Sequence, residues 1–95
     1  RGDIMGCCSY SIGTIVDISD NINEEYKFIT IAKIPGDIYT YTRLVYSKET
    51  IILDCEYKEI SIDELNIGDT IVAFHSNAMT MSIPPQTSVF IIEVK

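Results

Sequence analysis

Few side chains in this sequence are suited to chemistry, and they are scattered. His75 is the one histidine, and the cysteines are Cys7, Cys8 and Cys55. A Cys55 thiol activated by His75, with Asp54 as the orienting acid, would make a nucleophilic site. No motif joins these residues, and His75 shares its face of a strand with Ile71 and Ala73, which favours a structural histidine. A zinc site would need Cys7, Cys8, Cys55 and His75 to converge, because Cys-x-x-Cys and His-x-x-x-His spacings are absent. Asp17, Asp20, Asn21, Asn23 and Glu24 resemble a calcium loop in composition only. They lack its glycine and its terminal glutamate, so a solvated acidic turn is the plainer reading. No catalytic residue, metal or cofactor is expected.

Two stretches are better suited to binding. Tyr39, Tyr41 and Arg43 alternate, and aromatic rings beside a cation can stack on sugars or bases. Tyr is equally a good strand residue that packs its ring and wets its hydroxyl. The loop from Ser76 to Gln86 holds Asn77, Met79 and Met81 and closes on Pro84-Pro85, where a cis bond is plausible. Its methionines suit adaptable contacts. They would equally serve to plug the open end of a barrel. Tyr39, Tyr41, Arg43, Asn77, Met79, Met81 and Gln86 are therefore the candidate ligand residues.

The elements that must hold these groups are strands. Ile occurs 18 times, Thr 8 and Val 5, whereas Leu and Ala occur 3 times each. β-branched side chains suit a pleated sheet, and the strong helix formers are scarce. Ninety-five residues supply one small core. Apolar runs of period 2 place strands over 9–19, 26–34, 43–47, 70–76 and 87–94, with 50–54 continuing the third or beginning a new one. Gly13 inside the first marks a bulge or a close backbone approach. Ser61 and Glu64 form a capping box, with Ile60 and Leu65 at staple spacing, and Gly68 is placed to end a helix of about one turn. Strands, one short helix after the third, then two more strands describe an all-β, five-stranded OB-like barrel. An open meander or an SH3-like barrel is the alternative plan. Residues 1–8, opening Arg1-Gly2-Asp3, are expected to be a disordered or vector-derived leader. The barrel is expected over 9–95.

The periodicity also predicts which faces point inward. Val16, Phe28, Leu53, Leu65, Val72, Phe74, Phe90 and Ile92 are the expected core, with Val72 and Phe74 facing Phe90 and Ile92 across an antiparallel pair. An interior made of Ile71, His75, Val89 and Ile91 would instead mean a register one residue out.

The formal charge is −7, from 14 acidic and 7 basic residues. Such a surface repels phosphate backbones and anionic membranes, so nucleic acid is not an expected partner. An odd cysteine count with two adjacent thiols excludes a disulfide scaffold, although Cys55 could pair with Cys7 or Cys8. No run approaches the 18 apolar residues of a membrane span.

Three segments carry a family resemblance: Glu49-Thr50-Ile51-Ile52-Leu53-Asp54, Ile62 through Val72, and Ala78-Met79-Thr80-Met81-Ser82-Ile83-Pro84-Pro85-Gln86 leading into Val89-Phe90-Ile91-Ile92. From Gly13 onward the chain resembles small OB-like β-barrel domains of unknown function in Firmicutes, found alone or attached to secreted and cell-envelope proteins. The resemblance implies an OB-like barrel, an extracytoplasmic setting and no enzyme activity. Relatives are expected to carry a basic residue at the position of Met81. The function expected overall is a non-catalytic binding or accessory domain. The alternatives are a Cys55/His75 enzyme or metal site, and an oligosaccharide or single-strand binder working through Tyr39, Tyr41 and Arg43.

Overall fold

The strands close on one another because the first is long enough to be shared by two neighbours. In the computed structural model, which describes residues 8–20 and 26–95, β1 spans Cys8–Asp20. Its first half pairs antiparallel with β5 (Thr70–Ser76) and its second half with β2 (Lys27–Ala32). From β2 the chain turns through a single 3-10 turn, Ile38–Thr40, into β3 (Tyr41–Tyr46), again antiparallel. β5 pairs with β6 (Gln86–Val94), and β6 returns to lie parallel to β3, with Arg43 opposite Gln86. The circuit β1-β2-β3-β6-β5-β1 is a closed five-stranded barrel, as expected. A sixth strand, β4 (Ile51–Leu53), pairs parallel with β6 beyond β3 on the same edge, and its Ile52 joins the core.

The expected one-turn helix is shorter than an α-helical turn. It is a 3-10 turn, Ile62–Glu64, between the third and fourth barrel strands. Both halves of the capping box are made: the Asp63 N–H donates to Ser61 Oγ at 3.2 Å, and the Ser61 N–H donates to Glu64 Oε2 at 3.2 Å. Gly68 follows at φ +103°, and the Gly68 N–H donates to the Ile15 carbonyl at 2.8 Å. Leu65 and Ile62 are buried and join the main core. Ser61→Ala removes the cap acceptor and is expected to cost about 1 kcal/mol, read as a lower urea midpoint at unchanged slope.

The core corrects the expected faces. The fully buried large side chains are Ile15, Ile29, Leu44, Ile52, Ile71 and Ile92. Of the eight residues expected inside, Leu65 and Ile92 are buried; Val16, Phe28, Leu53, Val72 and Phe74 are half-buried, and Phe90 is exposed. Ile71, Ala73, His75 and Val89 point inward instead. Two register shifts cause part of this. One in β1, between Ile15 and Asp17, brings both Ile15 and Ile18 to the core side. One in the β5–β6 ladder, where His75 faces Val89 but Phe74 faces Ile91, brings both Val89 and Ile92 inside. An extra residue in a ladder reverses the faces beyond it.

Beyond β4 the chain folds back in a tight turn. Asp54 Oδ1 accepts the N–H groups of Glu56 at 2.8 Å and Lys58 at 3.0 Å. The Lys58 N–H, helped by that of Glu56 and by the Lys58 charge, holds the Asp54 carboxyl below its ordinary value against an opposing desolvation effect. Residues 1–7 and the acidic turn at 21–25 lie outside the described residues. So do the leader, the Cys7 or Cys8 pairing of Cys55, and most of the calcium-like cluster.

Candidate functional site

The parallel contact between β3 and β6 joins the two candidate surfaces that the sequence presents separately. The Arg43 N–H donates to the Pro85 carbonyl at 2.8 Å, so the end of the 77–85 loop is pinned to the middle of β3. The loop is braced from within. The Thr80 N–H donates to the Gln86 carbonyl at 3.0 Å, and the Gln86 N–H donates to Thr80 Oγ1 at 2.9 Å. Thr87 Oγ1 reaches the carbonyls of Ser76 and Ala78 at 3.0 and 2.8 Å, which ties the loop's start to β6. The Ile83-Pro84 bond is cis. Such a hydrogen-bonded frame presents its side chains in a fixed arrangement, which lowers the ordering cost of binding.

Two grooves lie beside this junction. One, of about 360 Å³, is lined by Val45, Ser76, Ala78, Met79, Thr80, Gln86, Thr87 and Ser88. The other, of about 290 Å³, is lined by Tyr26, Val45, Ser47, Glu49, Ser88, Val89 and Phe90. They share Val45 and Ser88, so they adjoin, and the pair is the candidate cleft. Phe28 lies opposite Val45 on β2, and the Arg43 guanidinium sits 5.7 Å from the centre of its ring. That contact fixes the long Arg43 side chain against the sheet.

The candidate residues divide accordingly. Met79 and Gln86 line the cleft, and Arg43 stands beside Gln86 in the ladder. Tyr41 shares Arg43's side of β3, but its hydroxyl accepts the Gly36 N–H at 3.1 Å and so braces the preceding turn. Tyr39 projects from the 3-10 turn and is 79% exposed, without lining either groove. Asn77 Oδ1 accepts a hydrogen bond from Ser9 Oγ. Met81 is wholly exposed, so it plugs nothing. Tyr26, Val45, Ser47, Glu49, Ser88 and Phe90 were missed as site residues. The alternation of Val45 with Arg43 along β3 was the available signal for one of them. The periodicity predicts Phe90 in the core, whereas it is exposed.

His75 is only 2% exposed and fully bonded. Nδ1 donates to the Ser76 carbonyl at 2.9 Å, since a carbonyl can only accept, and in the neutral ring Nε2 accepts the Ser11 hydroxyl at 2.8 Å. Cys55 is exposed in the turn after β4. It lies past Leu53, level with Glu93, whereas His75 is level with Val89 toward the other end of β6. The structure therefore does not bring Cys55 and His75 together. Among the described residues no three His, Cys, Asp or Glu side chains are grouped to hold a metal ion. No helix there is long and apolar enough to cross a membrane.

Comparison with protein-family models, with curated proteins and with solved structures gives no match for this chain.

Proposed function

We propose that this domain is a non-catalytic binding module that holds an oligosaccharide in the cleft between β3, β6 and the 77–85 loop. The observation that carries the reading is the β3–β6 junction itself. It sets the braced loop and the Gln86 amide along one groove and the Phe90 ring along the adjoining one, with Arg43 opposite Gln86 in the ladder. Phe90 and Tyr26 offer apolar ring faces, and Ser47, Ser88 and Gln86 offer hydroxyl and amide partners. A sugar needs that combination: its C–H faces stack on aromatic rings, and its hydroxyls are both donors and acceptors. By analogy of fold alone, the cleft has in common with the ligand face of OB barrels the third strand and the loop before the last strand. The secreted or envelope setting implied by the family resemblance is one in which polysaccharide is encountered.

Single-stranded nucleic acid is the less favoured occupant. Glu49 lines the cleft, and the chain's −7 charge opposes a phosphate backbone. Calorimetric titration with a panel of neutral oligosaccharides should find a ligand whose affinity falls about tenfold or more in Phe90→Ala and in Gln86→Ala. An exposed ring or amide in a binding cleft is worth on that order. Oligo-dT should give no signal at physiological salt. A dT complex that weakens with added salt, or sugar binding indifferent to both substitutions, would refute the assignment.

A further inference from the structure

Past Phe90, β6 leaves β3 and runs between β5 and β4, and the outer surface changes character there. Because Ile71, Ala73 and His75 point inward, Val72 and Phe74 point out. The registers then fix a row across four strands: Tyr10 opposite Phe74, Phe74 opposite Ile91, and Ile91 opposite Ile51. A second row, two residues along, runs Ile12, Val72, Glu93, Leu53. Tyr10 is 64% exposed, Ile12 51% and Ile51 42%, and the Tyr10 and Phe74 ring centres are 6.1 Å apart.

A sheet face meant for water alternates to polar residues, and strands covered on both faces read as unbroken apolar runs. Ile71-Val72-Ala73-Phe74 and Ile51-Ile52-Leu53 read the second way. The positions bordering the cleft are mixed, with Arg43, Gln86 and Ser88 among Val45 and Phe90. The one charged residue in the two rows is Glu93, whose carboxylate lies 3.4 Å from the Lys95 ammonium. Glu59, bridged to Leu53, stands at the end of the second row.

Size and charge choose the occupant. Four strands about 4.8 Å apart make a row about 14 Å long, and two rows fall well short of the roughly 800 Å² per partner of a standard interface. A second copy would gain little area and would set one −7 domain against another. We infer that this four-strand face docks a short cationic amphipathic segment of a partner protein, its apolar side chains on the Tyr10–Phe74–Ile91–Ile51 row and its basic groups toward Glu93 and Glu59.

The test is fluorescence anisotropy with three labelled 12-residue peptides on the intact protein. One is an amphipathic Leu/Lys helix, one has its Lys replaced by Glu, and one keeps its Lys but has its Leu replaced by Ser. Binding of the first alone, weakening with salt, is the expected result. Ile51→Ser should weaken it about tenfold, with the fold checked by circular dichroism. Glu93→Gln, which leaves the apolar row intact, should weaken it several-fold even if Ile51→Ser fails to fold. Equal binding of the Ser-containing peptide would show bare electrostatics, and binding of the Glu peptide would show unselective apolar contact. Either overturns the inference, as would indifference to Glu93→Gln or micromolar self-association in sedimentation that occludes this face.

Discussion

Ile71→Ala and Ile92→Ala should each destabilise the domain by about 2 to 5 kcal/mol, whereas Phe74→Ala should cost about 1 kcal/mol. The ordering runs against side-chain size and follows the barrel's inside surface. Ile71 and Ile92 are 0% exposed, so truncation leaves a cavity that the closed ring of strands cannot collapse around. Phe74 is half-buried on the outside and loses mainly its contact with the Tyr10 ring. Urea denaturation at matched slopes separates the two outcomes. A domain of this size holds about 5 to 15 kcal/mol in all, so either isoleucine variant approaches the limit of folding. If Phe74→Ala proved the costlier change, Val72 and Phe74 would face the core and the interior described above would be inverted.

That inversion shows what the sequence displays and what it hides. Strand positions and the Ser61–Glu64 cap were legible because each rests on local pattern, and the barrel class was legible from the order of those elements. The faces were not, for two physical reasons. In β2, β4 and β5 both faces are apolar, as in Phe28-Ile29-Thr30-Ile31-Ala32, so alternation cannot choose between them. Assigning the larger aromatic to the interior is then a natural error. The inside of a five-stranded barrel is narrow and takes Ile and Ala, while the rings lie on its outer wall. In β1 and β6 the alternation is read correctly at one end and extrapolated across a bulge. Ile92 does belong to the core side but Phe90 does not, and in β1 the core side passes from Ile15 to Ile18 across the shift, leaving Val16 half-buried.

The candidate site was half legible for a related reason. Arg43, Met79 and Gln86 stand out by residue type, yet nothing local says that 43 and 86 are neighbours. Their meeting depends on the parallel β3–β6 closure, which is a property of the whole circuit. Phe90 was hidden by the same bulge that inverted its face. Tyr39 stood out equally, but the 3-10 turn Ile38–Thr40 carries it away from the cleft.

Gly13→Val should be among the most destabilising single changes in the chain, and Gly13→Ala should already cost about 1 to 3 kcal/mol by overpacking. Gly13 is buried at the point where β1 passes from β5 to β2. A Cβ there would lie 3.0 Å from the Ala32 carbonyl oxygen, 3.2 Å from its carbon and 3.2 Å from Ile31 Cβ. Two of these are backbone atoms in a strand that closes the barrel, so they cannot step aside as the tip of a side chain would. Gly68 is the useful contrast. It has open space around its missing Cβ but a φ of +103°, so Gly68→Ala pays in backbone conformation, about 1 to 2 kcal/mol, and not in packing. The two mechanisms separate on enlarging the side chain. Moving from Ala to Val should deepen the loss sharply at Gly13, where each added methyl meets the same wall. It should add less at Gly68, where nothing lies within 4 Å of the Cβ and the further cost is only the greater reluctance of a β-branched residue to take a positive φ. Thermal melts of the four variants would decide it, and equal Ala-to-Val increments at both sites would show that β1 does not pass Ala32 as closely as described.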